Sequence, residues 1–520
     1  METAGNGKDA RRKRQALATL CVTMFMAMLD NVIVNIALPR IGRDLDAGIS
    51  GLQWVAEGYS LVYAALLLTG GTLGDRYGRT RVFRLGLALF TLGSAAAALA
   101  GGTGALVAAR MLQGVGAALL TPGSLAILRE VFTDERERAR AIGLWSGVSA
   151  LGLSVGPVVG GPMVDAFGWA SVFWINVPVG AVGLLLAHRV LPEIAPRERR
   201  IDLPGLLLSA GGLGALVYAL VEGPGRGWTD TRVLGCGAAA AVLLALFAAV
   251  ELRSAEPMVE LRLFRDRVLA GALLSGLMVS FGMFGAMFFL PLMLQGVMRW
   301  TPTAAGYAGL PLSGVIMFAA PLSGRLTTRH GVRPPLVLGI ALCAVGLGGL
   351  SLYPAQAHYW SYAWTLVLLG FGMGLTFTPV SIAVLGRVAP AQTGMASATI
   401  NTLRELGGVL GIAVLGAVLT ARLTGNLTTA LHRLGLPADG AAHAVAALTG
   451  RAAATGASPA PAPVRAAVDA SFVDALHLAL RCGSATLAVT AALVAVLLRP
   501  APAPAAAPAP ERGPALTGTA

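Results

Sequence analysis

The chain has 520 residues, of which 55% are hydrophobic and only 12% charged, with a mean hydropathy of +0.71. A membrane-crossing helix uses about 20 apolar residues, so fourteen would take about 280 positions, which this composition supplies; a soluble enzyme and a disordered chain are excluded. The net charge of +13 and pI near 10.4 would also suit a nucleic-acid partner, so the location of the charge must decide.

A basic tail, 1–14, leads into fourteen apolar runs at 15–38, 52–73, 82–101, 104–128, 140–163, 170–191, 203–222, 232–251, 268–295, 303–324, 334–353, 359–385, 401–421 and 475–498. RRKR before the first run imitates a signal peptide, but the apolar stretch is too long, has no A-x-A exit, and thirteen more runs follow. With the N-terminus in the cytoplasm, 28 Arg and Lys fall on the cytoplasmic side and nine on the outer side. The basic charge is thus an orientation signal spread over short loops, with both termini cytoplasmic, and no nucleic-acid partner is expected.

The two halves are related. GTLGDRYGRTR at 71–81 matches GRLTTRHGVRP at 324–334, and TPGSLAIL at 121–128 matches TPVSIAVL at 378–385. This predicts an all-α polytopic membrane protein: a six-helix bundle at 15–192, an inserted helix pair at 202–253, and a second six-helix bundle at 268–498. Residues 426–470 read as a long outer loop, and 499–520 as a Pro/Ala-rich disordered tail.

Few polar groups fall inside the spans. Asp30 lies in the first, with apolar residues on both sides; such an acid is expensive in lipid and suits a proton-coupling or cation-binding site. The competing reading is a structural acid held by Asn31 or Asn35. Glu57, near the outer end of the second span, reads either as a second acid meeting protons or cationic drugs, or as an interfacial residue that snorkels to water. Arg110, in the fourth span, has Val367 as its repeat counterpart and must find an acid or carbonyl partner; Gln113 lies one turn along the same face. Asp30, Glu57, Gln113, Trp145 and Phe281 are the candidate lining of a substrate cavity. Glu405 beside Arg404 reads as an interfacial pair at the opening of span thirteen. Glu222 and Asp165 read as loop acids, and Asp474, His477 and Arg481 as a solvated helix start. Four separate cysteines, with no metal-ligand spacing, read as free buried thiols, and no metal or cofactor is expected.

Four stretches carry a resemblance: LDNVIVNIALP (29–39), GTLGDRYGRTR (71–81), LVAARMLQGVGAA (106–118) and GLSVGPVVGG (152–161). In this order they resemble the major facilitator superfamily, and more narrowly its fourteen-span drug:proton antiporters of the QacA/EmrB type. LQWVAEGYSLV, GWASVFWINVPVG and ALVEGPGRGW are similar to the same subgroup. The resemblance implies the major facilitator fold, with both bundles facing a shared site. It implies a cytoplasmic gating loop at Gly71, Gly74, Asp75, Arg76, Gly78 and Arg79, an antiporter motif at Gly152, Gly156, Pro157, Gly160 and Gly161, and a part for Arg110 in proton transfer. The second copy of the loop has Thr328 where the first has Asp75, so any acid-dependent latch is one-sided.

There is no GxxxxGK[ST], and the two lysines, Lys8 and Lys13, lie in the N-terminal tail, so a Walker-type ATP site is excluded. Transport must then draw on an ion gradient or on the substrate's own. The resulting expectation is a proton-coupled exporter of small lipophilic compounds, acting as a monomer in the cytoplasmic membrane, and not an enzyme. A lipophilic cation suits a cavity with acids; neutral compounds are also compatible. The alternative is a metabolite transporter, either a symporter or an exporter of one endogenous product, on the same fold.

Overall fold

The computed structural model describes residues 2–196, 202–254, 265–354, 357–388, 393–434 and 462–498. The first bundle consists of α1 (Glu2–Asp44), α2 (Ile49–Tyr77), α3 (Arg79–Ala98), α4 (Thr103–Val131), α5 (Glu135–Phe167) and the broken pair α6 (Ser171–Trp174) and α7 (Asn176–Val190). The inserted pair is α8 (Leu203–Arg226) and α9 (Thr231–Arg253). The second bundle consists of α10 (Arg267–Pro291) with a π-helical turn (Leu292–Val297), α11 (Pro302–Tyr307) running into α12 (Leu310–His330), α13 (Arg333–Leu350), α14 (Tyr359–Leu385), α15 (Thr393–Arg433) and α16 (Ala462–Leu497).

Among the described residues, thirteen helical segments are long and apolar enough to cross a membrane. The fourteenth is α2, whose 29 residues include Gln53, Glu57 and Ser60. All three are buried, so this helix is surrounded by protein rather than by lipid and needs less hydropathy to sit in the bundle.

Aspartates set several helix starts: the Asp134 carboxylate accepts from Glu137 N–H, Asp202 from Gly205 N–H, Asp230 from Arg232 N–H and Asp266 from Val268 N–H. The internal repeat is visible in the backbone. Gly78 ends α2 at φ 99° and Gly331 ends α12 at φ 80°, and each N–H closes on the carbonyl four residues back. Pro122 in α4 and Pro379 in α14 also correspond.

Several boundaries differ from the sequence reading. α15 starts at Thr393 rather than 401 and continues to Arg433, and α16 starts at Ala462 rather than 475. The loop expected at 426–470 is therefore helical at both ends; its part at 435–461 lies outside the described residues, as do the tail 499–520 and Arg197, Arg199, Arg200 and Arg262. Asp165 and Glu222 are helical rather than loop acids. Asp474, His477 and Arg481 lie well inside α16. Asp474 pairs with Arg422 at 3.0 Å, His477 Nε2 meets the Tyr353 carbonyl at 3.0 Å, and Arg481 donates to Ser351. All four cysteines are free, but only Cys21 and Cys343 are buried.

The inserted pair sits across the joint between the bundles, with α8 packed on both α2 and α15. Leu61 of α2, Val217 and Val221 of α8, and Val409 and Ala413 of α15 form one apolar cluster. Glu222 fixes α8 to α2 by accepting from Ser50 Oγ at 2.8 Å and from Trp54 Nε1 at 3.2 Å.

Candidate functional site

Among the described residues, a densely connected polar cluster within the spans is centred on Asp30. α1 places Asp30 and α4 places Arg110 and Gln113, all essentially without solvent exposure. Arg110 Nη1 donates to Asp30 Oδ2 at 2.6 Å and to Gln113 Oε1 at 2.9 Å, and Arg110 Nε donates to the Val55 carbonyl of α2 at 3.3 Å. Asp30 Oδ1 accepts from Gln113 Nε2 at 3.1 Å and from Asn176 Nδ2 of α7 at 2.6 Å. Gln113 Nε2 also reaches Ser94 Oγ of α3 at 2.8 Å.

Five helices of the first bundle thus converge on one carboxylate and one guanidinium. Both oxygens of Asp30 are occupied by three donors, of which one is cationic, which is the condition under which a buried ion pair offsets its desolvation. The guanidinium also stacks 4.5 Å from the Tyr59 ring centroid and 5.8 Å from that of Phe173. Small residues permit this approach: a Cβ on Gly114 would stand 2.6 Å from the Tyr59 carbonyl, and one on Gly93 would stand 2.9 Å from Gln113.

Asp30, Arg110 and Gln113 come together as one network. The three other candidates, Glu57, Trp145 and Phe281, are apart from it. Glu57 is fully buried, and neither carboxylate oxygen has a hydrogen-bond partner. It lies between Gln53, which donates to the Ile412 carbonyl of α15 at 3.0 Å, and Leu61 of the α2–α8–α15 cluster. It is therefore a seam residue rather than one that snorkels to water. Trp145 is half-buried, its indole N–H unpaired, and Phe281 is buried where α10 meets α15.

In the loop at 71–81, only Gly78 needs glycine for its backbone angle. Gly71 and Gly74 have room for a Cβ at ordinary contact distance; the close helix approach is at Gly70, where a Cβ would stand 2.1 Å from the Ala118 carbonyl. Asp75 pairs with Arg79 at 2.9 Å, and exposed Arg76 stacks on Tyr77.

The motif at 152–161 has two faces. Gly152, Gly156 and Gly160 pack on α1, where Cβ atoms would meet the Phe25 carbonyl at 2.7 Å, Val32 at 2.5 Å and Ile33 at 2.6 Å. Pro157 and Gly161 instead face the other bundle. A Cβ on Gly161 would lie 2.6 Å from the Pro302 carbonyl, and one on Gly306 would lie 2.2 Å from the Pro157 carbonyl. One turn further on, Asp165 accepts from the Thr303 N–H at 2.9 Å and from its hydroxyl. Gln295 Nε2 donates to the Ile36 carbonyl at 2.9 Å. These contacts join the ends of α1 and α5 to α11 and to the π-helical turn after α10, so they share one end of the molecule.

Sequence reasoning missed Asn176, Ser94 and the position of Glu405. Asn176 stands out in FWINVPVG as a polar residue in an apolar window, but nothing there points to Asp30. Glu405 is not interfacial: it lies twelve residues into α15 and shares a hydrogen bond with Asn31 of α1. Arg404 Cζ lies 3.9 Å from the Phe377 ring centroid, and its Nε has no partner. Arg404 therefore does not belong with the cytoplasmic loop charges.

The profile of the Major Facilitator Superfamily matches residues 20–412, and the chain belongs to that family. It is a multi-pass membrane transporter and not an enzyme. It is 41% identical over 427 residues to the multidrug resistance protein Stp of Mycobacterium tuberculosis, covering 81% of this chain and 79% of that protein. It is 36% identical over 496 residues to the tetracenomycin C resistance and export protein of Streptomyces glaucescens, covering 93% and 91%. Among solved structures, an inward-facing, unoccupied bacterial homologue of the human lysosomal transporter Spinster superposes with a TM-score of 0.65 at 17% identity, over 94% of this chain and 97% of that one. At that identity the likeness concerns the fold.

Proposed function

We propose that this transporter exports lipophilic compounds, drugs or antibiotics among them, across the cytoplasmic membrane in exchange for protons, by alternating access between the two bundles. The observation that carries this reading is the Asp30–Arg110–Gln113 network. An ion pair sealed inside one bundle and saturated with hydrogen bonds is a two-state element: protonating Asp30 removes the partner of Arg110 and frees the guanidinium. Glu57 is the second acid of the scheme. A bare carboxylate is costly in the seam between bundles, so parting of the seam changes its surroundings. The loop at 71–81 acts as the gate at the termini end, and the contacts at Gly161, Asp165 and Gly306 close the opposite end. The bias of basic residues supports cytoplasmic termini, and on that reading the closed end is the outer one. The transport unit is one chain, and its substrates include lipophilic cations.

The names of the two relatives support export of toxic compounds. The Streptomyces relative, named for a single compound, favours the narrower variant of this reading, an exporter of one product. Both are tested by reconstituting the protein in liposomes, imposing a pH gradient, and following ethidium, tetraphenylphosphonium, tetracycline and puromycin. Gradient-driven movement of at least one, abolished by a protonophore, is expected; movement of several separates the broad exporter from the narrow one. Movement unaffected by collapsing the gradient overturns proton coupling, and proton-linked accumulation of a nutrient in the opposite direction overturns export.

A further inference from the structure

The two guanidinium groups in the middle of the bundles are treated differently. Arg110 of the first has an acid, a glutamine and a carbonyl as acceptors. Arg404 of the second lies flat on a ring, with its Cζ 3.9 Å from the Phe377 centroid of α14, and its Nε is buried without a partner. Among the described residues no carboxylate forms a salt bridge with it and no acceptor takes a hydrogen bond from it. Glu405 is the next residue, but successive side chains leave a helix about 100° apart and do not face each other. From Val409 outward α15 is packed against α2 and α8, whereas 401–406 are half-buried on every side of the helix. Arg404 therefore stands where the bundles part. Its stem runs past Gly276 of α10, where an added Cβ would sit 3.7 Å from Arg404 Cγ and 3.6 Å from Val380 of α14.

We propose that Arg404 and Phe377 form a substrate subsite in the second bundle for planar aromatic compounds that carry a carboxylate or phenolate oxygen. This rests on the export reading above and adds organic anions to its substrates. A permanent cation that is partly desolvated and has no counter-charge is costly, and a ring face alone offsets only part of that cost. An anion from outside the chain supplies what is missing. The guanidinium edge presents parallel N–H donors that match a carboxylate two to two, a fit that a compact ammonium does not offer. One face of the guanidinium is taken by Phe377, and the open space lies on the remaining side. Phe377, Val380 and the bare backbone of Gly276 give the aromatic part of the compound an apolar surface beside the charge.

Binding is measured on the full chain in lipid nanodiscs, corrected against empty nanodiscs, so that no proton gradient enters. The probes are 1-pyrenecarboxylate, its neutral methyl ester and ethidium. The unmodified protein is expected to bind the carboxylate at least about tenfold more tightly than the ester, equivalent to about 1.4 kcal/mol. Arg404→Gln is expected to abolish that preference and, by removing a repelling charge, to bind ethidium at least about twofold more tightly; Arg404→Lys is expected to keep part of the preference. A purely structural role would instead weaken all three probes together. Equal binding of acid and ester by the unmodified protein overturns the subsite, and that comparison holds even where Arg404→Gln does not fold. A preference that survives in Arg404→Gln, or an equal loss of all three probes, overturns it as well. A subsite that passes these tests in a protein that moves none of the probes in proteoliposomes under a pH gradient stands, and the export reading alone fails.

Discussion

At the scale of single residues, the Asp30–Arg110 pair behaves as a unit because each partner is the other's compensation for burial. The substitution Asp30→Asn keeps an acceptor for Asn176 and Gln113 but leaves Arg110 without a buried counter-charge. Breaking one side of such a pair costs about 3–5 kcal/mol. We expect the variant to reach the membrane, to melt at a lower temperature and to lose proton-driven efflux; efflux equal to the unmodified protein at matched expression rules out a coupling role. Arg110→Lys retains the charge opposite Asp30. An ammonium lacks the planar fork that reaches Asp30, Gln113 and the Val55 carbonyl together, and it lacks the flat face stacked on Tyr59. Efflux is expected to fall at least about tenfold, equivalent to about 1.4 kcal/mol; full activity means that positive charge alone suffices.

At the scale of elements, the spans were legible because lipid imposes one requirement, a run of apolar residues, that few other environments impose. Their ends were not. The segment TGMASATINT at 393–402 is small and polar, which reads as loop, yet it forms the first turns of α15. That shift of eight residues explains why Glu405 looked interfacial when it lies within the span facing Asn31. The glycine stripe at 152–160 was legible as a packing face, since a four-residue period marks one side of a helix. That Gly161 and Pro157 serve the other bundle was not legible, because it depends on where α11 lies, and no local period encodes it. The α5–α11 contact gives a direct test. A Cβ at Gly306 falls 2.2 Å from a backbone carbonyl, which cannot rotate away. Gly306→Ala is expected to destabilise this closed arrangement by about 1–3 kcal/mol, read as a lower melting temperature of the purified protein. An unchanged melting temperature shows that α11 shifts freely. Gly314, whose added Cβ meets nothing within 4 Å, is the matched control.

At the scale of the molecule, the ladder of contacts between bundles gathers at one end: Gln53 with Ile412, Gln295 with Ile36, and Asp165 with Thr303. The inserted α8 lies over the same joint, tied to α2 through Glu222 and packed on α15 through the apolar cluster of Val217, Val221, Val409 and Ala413. A polar tie on one side and an apolar contact on the other is the pattern expected of a helix that rides with the first bundle and slides on the second. Under the alternating-access mechanism proposed above, the ladder must part. The pair Asp165→Cys with Thr303→Cys, in a background where Cys482, the exposed native thiol, is replaced by Ser, places two sulfurs on either side of this joint. Oxidation is expected to stop net transport, and reduction to restore it, while each single cysteine leaves the oxidised protein active. Transport that continues through the oxidised bridge, verified by its shift on a non-reducing gel, shows that this end never opens. The path of the substrate would then have to leave sideways between helices instead of through the joint.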